Sequence, residues 1–458
     1  MAPLRLRRIR HVLAVAALLA STALVTSASA ETIDEALARA YQTNPTLLAA
    51  RAALRATDEG VPQALSRWRP TIEASGDISR QQSYSNARSP ASRYTSPRGA
   101  DLSIVQPLYD PTADAVTQRA EKDVLAARAR LQTTEQQVLL AAMTAYIDVV
   151  RDQAVLDLNI NNEQRLRRQL DAANDRFRVG EITRTDVAQA EAAVSRATAD
   201  RIQAEGNLAA SRAVYRNAVG ETPATLVTPK APANLPAAQE EAVTLAGDRY
   251  PDVLAADYTE QSARENIRAI EGELWPSLDA RGTLSADEAT TTSDTRTNSA
   301  AITAEISIPL YTAGSVASRI RAAKQTAVQR KIQVDEARRD AMEASTRAWE
   351  SLETARASLR AYDSEIAASQ IALEGVEKEA LVGSRTVLDV LDAEQELLTA
   401  KVNLVGAQHD EIAAAYEVKA AIGSLTAREL GLQVPYYDEQ QNYKAVRGKW
   451  WGNSIDGE

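Results

Sequence analysis

The 458-residue chain has no cysteine and two histidines, His11 and His409. Without thiols it has no disulfide framework, no Cys nucleophile and no lipidation site. With one histidine beyond the first thirty residues, soft metal ligands are almost absent and a Ser/His/Asp set has little to draw on. Phenylalanine occurs once, as Phe177, where a globular domain of this size would bury many large aromatics. After residue 30 no stretch approaches the ~18–20 apolar residues of a membrane-spanning helix, so a membrane crossing would have to be β-structure. There is no phosphate-cradling glycine loop. The net charge of −10 argues against nucleic acid as a partner. The abundant paired carboxylates read as solvated helix stripes. The chain does not read as an enzyme and calls for no cofactor or metal.

What is present begins with an export signal over 1–30. Arg5, Arg7, Arg8 and Arg10 form a basic start, Val12 to Val25 is apolar, and Ala28-Ser29-Ala30 is a small-residue cleavage site. The mature chain is expected to start at Glu31, with a formal charge of −14 once four arginines are removed.

The remainder states one plan twice. Asn44-Pro45 recurs as Tyr250-Pro251, and Pro70 after Trp68 as Pro276 after Trp275, at an offset of 206. Gln106-Pro107-Leu108-Tyr109 recurs as Ile308-Pro309-Leu310-Tyr311 at an offset of 202. Val179-Gly180, Thr183 and Asp186-Val187 recur as Val382-Gly383, Thr386 and Asp389-Val390 at an offset of 203. Four landmarks in one order are a tandem duplication. The first repeat spans 31–220 and the second 237–432, joined by the proline-rich linker 221–236 and followed by a tail, 433–458, without periodicity.

Each repeat reads as strand, strand, long helix, helix. Helices are expected over about 112–178 and 185–219, then 315–381 and 387–422, where proline and glycine are nearly absent and apolar residues recur at helical spacing. A helix of about 65 residues would be ~100 Å long and needs lateral partners, as in a coiled coil. Strands are expected over about 71–82 and 100–109, then 277–287 and 299–310. In three of them even positions are apolar or small and odd ones polar, and 100–109 follows more loosely through Leu102, Ile104 and Leu108, over the ten residues of a tilted transmembrane β-strand. Glu73, Asp77, Asp279, Arg281 and Glu305 then fall on the wet face, while Trp68, Trp275, Tyr109 and Tyr311 mark an interfacial belt at the helix-side ends. The hairpin loops, 82–99 and 288–298, are Ser/Thr/Asn/Arg-rich. A pair of soluble hairpins packed on a core is the alternative. If the strands do cross a membrane, four cannot close a barrel, and several copies must share one.

Together these features resemble the TolC-like outer-membrane efflux protein family over essentially the whole mature chain. The most specific stretch is Leu381-Val382-Gly383-Ser384-Arg385-Thr386-Val387-Leu388-Asp389-Val390-Leu391-Asp392-Ala393. Its first-repeat counterpart runs from Arg176 to Val187. The resemblance implies a mainly α fold with a transmembrane β-barrel: a homotrimer with one 12-stranded barrel in the outer membrane and an α-helical periplasmic tunnel. It implies a passive exit duct for type I protein secretion or multidrug efflux, engaged by a periplasmic adaptor and an inner-membrane transporter, ABC or proton-driven. A purely structural coiled-coil surface protein is the competing class, though it would not need the duplicated strand–helix plan.

By the same resemblance the two glycine turns, with Val179, Gly180, Val382 and Gly383, form the aperture tip and the adaptor contact. Arg385 would bond to Thr185 and Asp186 across helix pairs, and Asp389 and Asp392 would line the constriction. Crowded carboxylates there would raise one another's pKa and attract cations. Leu381 stands where relatives often carry a tyrosine of the closing network. Read from the residues alone, Thr183 with Asp186 and Thr386 with Asp389 are capping boxes, which suffice to explain both aspartates. Asp392, a turn further in, is not explained by capping, and Arg385 in a helix–helix turn can be simply solvated.

Overall fold

The structure, a computed structural model, describes residues 31–85, 91–290 and 294–455; the expected export signal lies outside the described residues. In chain order the elements are α1 (Ile33–Thr43), α2 (Pro45–Asp58), α3 (Gly60–Leu65), a 3₁₀ turn (Ser66–Trp68), β1 (Thr71–Ile78), β2 (Gln81–Ser85), β3 (Ala91–Thr95) and β4 (Arg98–Tyr109). Next come α4 (Ala113–Arg178), α5 (Arg184–Val219), α6 (Gln239–Arg249), α7 (Pro251–Gly272), β5 (Ser277–Glu288) and β6 (Arg296–Ser307). The chain finishes with α8 (Ser315–Leu381), α9 (Val387–Ala421) and α10 (Gln441–Arg447).

The long helices earn their length by packing on small residues at a seven-residue step. On α5 the buried positions Ala190, Ala197, Ala204 and Ser211 follow that step, as do Leu208 and Tyr215. On α9 Ala400, Ala407, Ala414 and Ala421 do the same, and on α8 Ala341, Ala348 and Ala355. Seven residues are two turns, so each stripe stays on one face and winds a left-handed coiled coil. Alanine lets the helix axes approach closely where Leu or Phe would hold them apart, which accounts for the near-absence of phenylalanine.

Compactness cuts across the tandem repeat. Among the described residues one unit takes 31–40, 142–230 and 359–412; the other takes 41–141, 231–358 and 413–455. The first holds both glycine turns, the second the whole sheet. In the first unit Leu166 of α4, Ala197 of α5 and Leu391 of α9 share one cluster, and Leu373 of α8 packs with Val390 and Leu397 of α9. Glu163 of α4 accepts from Thr198 Oγ1 at 2.6 Å and Arg201 Nε at 2.7 Å of α5, and from Arg167 at 2.6 Å. The Thr198 hydroxyl, with Arg201 and Arg167, holds its carboxyl below the usual range against the opposing effect of burial.

In the second unit four strands form one antiparallel sheet in the order β1-β4-β5-β6. Where composition reads 82–99 as loop, β2 and β3 form a separate two-stranded ribbon, pairing Gln81 with Thr95. Exposed Tyr84 and Tyr94, alternating with small polar residues, suit a solvated ribbon. The tail also gains a place: 433–455 packs on the second unit, with the Tyr437 N–H donating to the Tyr41 hydroxyl at 3.0 Å.

Candidate functional site

Register fixes the two faces of the sheet, because directly opposed residues of antiparallel strands project to the same side. One row is Ile72, Ile104, Gly282 and Ile302, and the next is Ala74, Leu102, Leu284 and Ala300. The same face continues to Leu278 and Ile306 at one end and to Ala286 at the other. Leu278 to Ala286 is about 27 Å of strand, a length in keeping with the roughly nine to eleven residues of a tilted transmembrane strand. Beyond it the face turns ionic, with Glu288 bonded to Arg98 at 3.0 Å and Arg296 at 3.2 Å. A bulge between Pro107 and Tyr109 puts Tyr109, rather than Leu108, opposite Leu278. The looser alternation through Leu102, Ile104 and Leu108 is corrected at its last step: the bulge inserts one residue and moves the aromatic ring to the apolar side.

The opposite face is wet and acidic. Glu73, Asp77, Asp101, Asp279, Asp287 and Glu305 share it with one cation, Arg281, for a net −5 per chain. Ser285 and Ser299 meet across the strands at 2.6 Å. Asp101 and Asp287, at odd positions of the same alternation, join them on this face. Gly99 fits between Asp77 and Asp287, whose Oδ1 atoms each lie 2.8 Å from where a Cβ would stand. Trp68 ends the 3₁₀ turn before β1, Trp275 precedes β5, Tyr109 ends β4 and Tyr311 follows β6, all of them exposed at the helix-side foot of the sheet. Among the described residues no helix is long and apolar enough to cross a membrane.

The two glycine turns are near-copies of one another. Glu181 N–H donates to Arg176 O at 2.9 Å and Gly180 N–H to Phe177 O at 2.9 Å; Ser384 and Gly383 repeat this onto Glu379 and Ala380 at 3.0 and 3.1 Å. Both are Schellman closures, with glycine at φ +79° and +77°. A capping box opens each returning helix. Thr183 N–H donates to Asp186 Oδ2 at 2.8 Å and Asp186 N–H to Thr183 Oγ1 at 3.3 Å, and Thr386 with Asp389 repeats both distances. The Thr183 hydroxyl and N–H hold the Asp186 carboxyl below its usual range; for Asp389 the Thr386 N–H leads, then the hydroxyl. Within one chain capping therefore keeps both aspartates ionised.

The side-chain charges differ between turns. The first closes with Arg176 Nε on Glu181 at 3.1 Å, and an Arg178–Asp175 pair precedes it. In the second, Arg385 Nε donates to Glu379 Oε2 at 2.9 Å, and its Nη1 lies 3.9 Å from Asp389 Oδ1. Among the described residues of one chain Arg385 is thus held by its own turn, and it makes no bond to Thr185 or Asp186. Asp392 is exposed one turn into α9, and Thr185 is exposed beside its cap. Val179, Val382 and Leu381 are 78–80% exposed, an apolar tip on each turn. The buried carboxylate of α9 is Glu394, missed by sequence reasoning, whose pKa burial raises while Arg165 opposes. No three His, Asp or Glu side chains among the described residues are grouped to hold a metal ion.

A duplicated chain with an amphipathic four-stranded sheet and glycine-turned coiled-coil helices is a recognisable object. The family model described as outer membrane efflux protein matches residues 36–221 and 242–424. The chain belongs to the outer membrane efflux protein family. It is similar to the outer membrane efflux protein BepC of Brucella suis, 38% identical over 97% of this chain and 96% of that protein. It is 29% identical to outer membrane protein TolC of Vibrio cholerae, over 90% of this chain and 96% of that protein. In fold it matches the CmeC outer membrane channel of Campylobacter jejuni, with TM-score 0.77 at 15% identity over 91% of this chain and 89% of that one. This family member is an outer-membrane export channel with its helices in the periplasm; it is not an enzyme, and the structural-stalk alternative falls with the family match.

Proposed function

We propose that three copies of this chain share one barrel, three times four strands making twelve, and one helical tunnel through the periplasm. The observation that carries this is the sheet's pair of open edges. Among the described residues β1 and β6 each pair on one side only, and lipid offers nothing to the unpaired N–H and C=O groups of an edge. A neighbour's β6 beside β1 satisfies both edges, lays the apolar rows against lipid and turns the acidic face into a water-filled lumen.

The duct is passive. A periplasmic adaptor joins it to an inner-membrane transporter, ABC or proton-driven, which supplies energy and chooses between small molecules and secreted protein as cargo. The exposed apolar tips at Val179, Leu381 and Val382 are the adaptor contact, and the two turns are the closable aperture. Arg385 reaches Thr185 and Asp186 of an adjacent copy to hold it shut. Detergent-purified protein should run as a heat-modifiable trimer by native mass and conduct ions in planar bilayers. A monomer that leaves bilayers impermeable would overturn this reading.

A further inference from the structure

The C-terminal tail is the part of the chain the duplication does not explain, and it is fastened to the second unit along its length. The Arg51 guanidinium lies 4.4 Å from the Tyr41 ring and 5.2 Å from the Tyr437 ring. The Asn442 amide donates to Asp58 at 2.8 Å, Arg447 to Glu121 at 2.9 Å, and Arg128 sits 5.1 Å over Tyr443. Last, Arg69 donates to the Lys449 carbonyl at 2.8 Å and lies 4.9 Å from the Trp450 ring. Only Pro70 separates Arg69 from the first residue of β1, so these contacts carry the tail to the helix-side foot of the sheet.

There the chain closes a small loop. Lys449 Nζ donates to Ser454 O at 2.8 Å, and Gly452 adopts φ +95° to make the turn. Trp450, Trp451 and Ile455 stand on this loop 57%, 82% and 67% exposed. Fixed backbone that presents two indoles and an isoleucine to water marks an interaction surface. Indole rings beside lysine are the composition of a membrane–water interface, where the ring has one apolar and one wet side. Trp68, Trp275, Tyr109 and Tyr311 already form such a belt at this foot, and the tail extends it away from the strands.

We propose that the Trp450–Trp451 loop is a second membrane anchor outside the barrel, seated in the phospholipid headgroup layer of the periplasmic leaflet. Lys444 and Lys449 face the lipid phosphates, Lys449 through donors beyond the one given to Ser454. This rests on the sheet crossing the bilayer with its helix side toward the periplasm, so channel conductance is read on the same sample.

Full-length protein carrying Trp68→Phe, Trp275→Phe and Trp349→Phe keeps only the tail pair among its five tryptophans. It is reconstituted in phosphatidylethanolamine–phosphatidylglycerol vesicles, with or without phospholipid brominated near the headgroup. Indoles at that depth should be quenched roughly twofold or more strongly by bromolipid than by aqueous iodide. Quenching by iodide alone places the loop in water and overturns the proposal. Protection from both quenchers places it under another copy of the chain and overturns it equally. Normal conductance in either case leaves the barrel intact and confines the failure to the tail. If the triple variant does not assemble, wild type is compared with Trp450→Ser/Trp451→Ser. The double variant should lose the tail's share of bromolipid-quenchable emission while Trp68 and Trp275 keep theirs, and an undiminished quenchable share overturns the proposal.

Discussion

Glycine-to-alanine substitution should act with opposite sign at two sets of positions that look alike in space. Around Gly180 and Gly383, and equally around Gly206, Gly375 and Gly406, nothing lies within 4 Å of an added Cβ. Packing within the chain therefore drops out and the backbone decides. Gly180 and Gly383 sit at φ +79° and +77°, where an L side chain costs about 1–2 kcal/mol. The lower entropy of the unfolded chain returns about 0.4–1 kcal/mol of this. Gly206, Gly375 and Gly406 lie inside α5, α8 and α9, where alanine is favoured by about 1 kcal/mol. The two sets should differ by about 2 kcal/mol, roughly thirty-fold in a local opening equilibrium. Hydrogen exchange over residues 376–390 reads this directly: Gly383→Ala should speed it, Gly375→Ala should slow it. If both move exchange in one direction, backbone conformation is not what selects glycine in these turns.

Three further outcomes follow from the same geometry. Arg385→Ala should leave thermal stability near wild type, because its partner Glu379 is half exposed, yet raise single-channel conductance; wild-type conductance would remove the latch. Asp392→Ala should weaken block of the channel by multivalent cations more than Asp389→Ala, whose Oδ2 is already committed to the Thr386 cap at 2.8 Å; equal effects would place the site elsewhere. His409 bonds to Asp148 at 3.0 Å and Asp410 at 2.9 Å; burial lowers its pKa, but these carboxylates outweigh it and the net shift is upward from 6.5. Its contribution is therefore full below pH 6.5 and fades as pH rises through the raised value. The melting-temperature gap between wild type and His409→Gln should be largest near about pH 5 and shrink by about pH 8, and a gap that grows with pH would contradict this sign.

The parts of this molecule legible in its sequence are those written periodically. Two-residue alternation announced the strands, the run without proline or glycine announced α4, and Val-Gly before Thr-x-x-Asp announced both turns. The bulge at Pro107–Tyr109 was hidden because it exists only relative to β5. The choice of Glu379 by Arg385 was hidden because the Schellman closure brings together side chains six apart that a continuing helix would separate. The tail was unreadable because Arg51, Arg128 and Arg69, far away in the chain, hold it one aromatic ring at a time.

The divergence between the two turns has a mechanical consequence in the proposed aperture. An offset of 203 maps Arg176 onto Glu379, Glu181 onto Ser384 and Ile182 onto Arg385. The backbone closures are kept while the internal ion pair reverses its polarity. In the proposed trimer, six turns of one charge arrangement would make every seam around the aperture alike. Two unlike turns per chain let the arginine-bearing turn alternate with the turn that offers Thr185 and Asp186, so opposite charges can meet at alternate seams. Surface pairs of this kind are individually weak and easily exchanged, as the proposed aperture needs if it is to open for an adaptor. On this argument the duplication did more than lengthen the chain: it supplied two tips that could diverge, and in the proposed aperture Arg385 then faces a turn that carries Ile182 in its place.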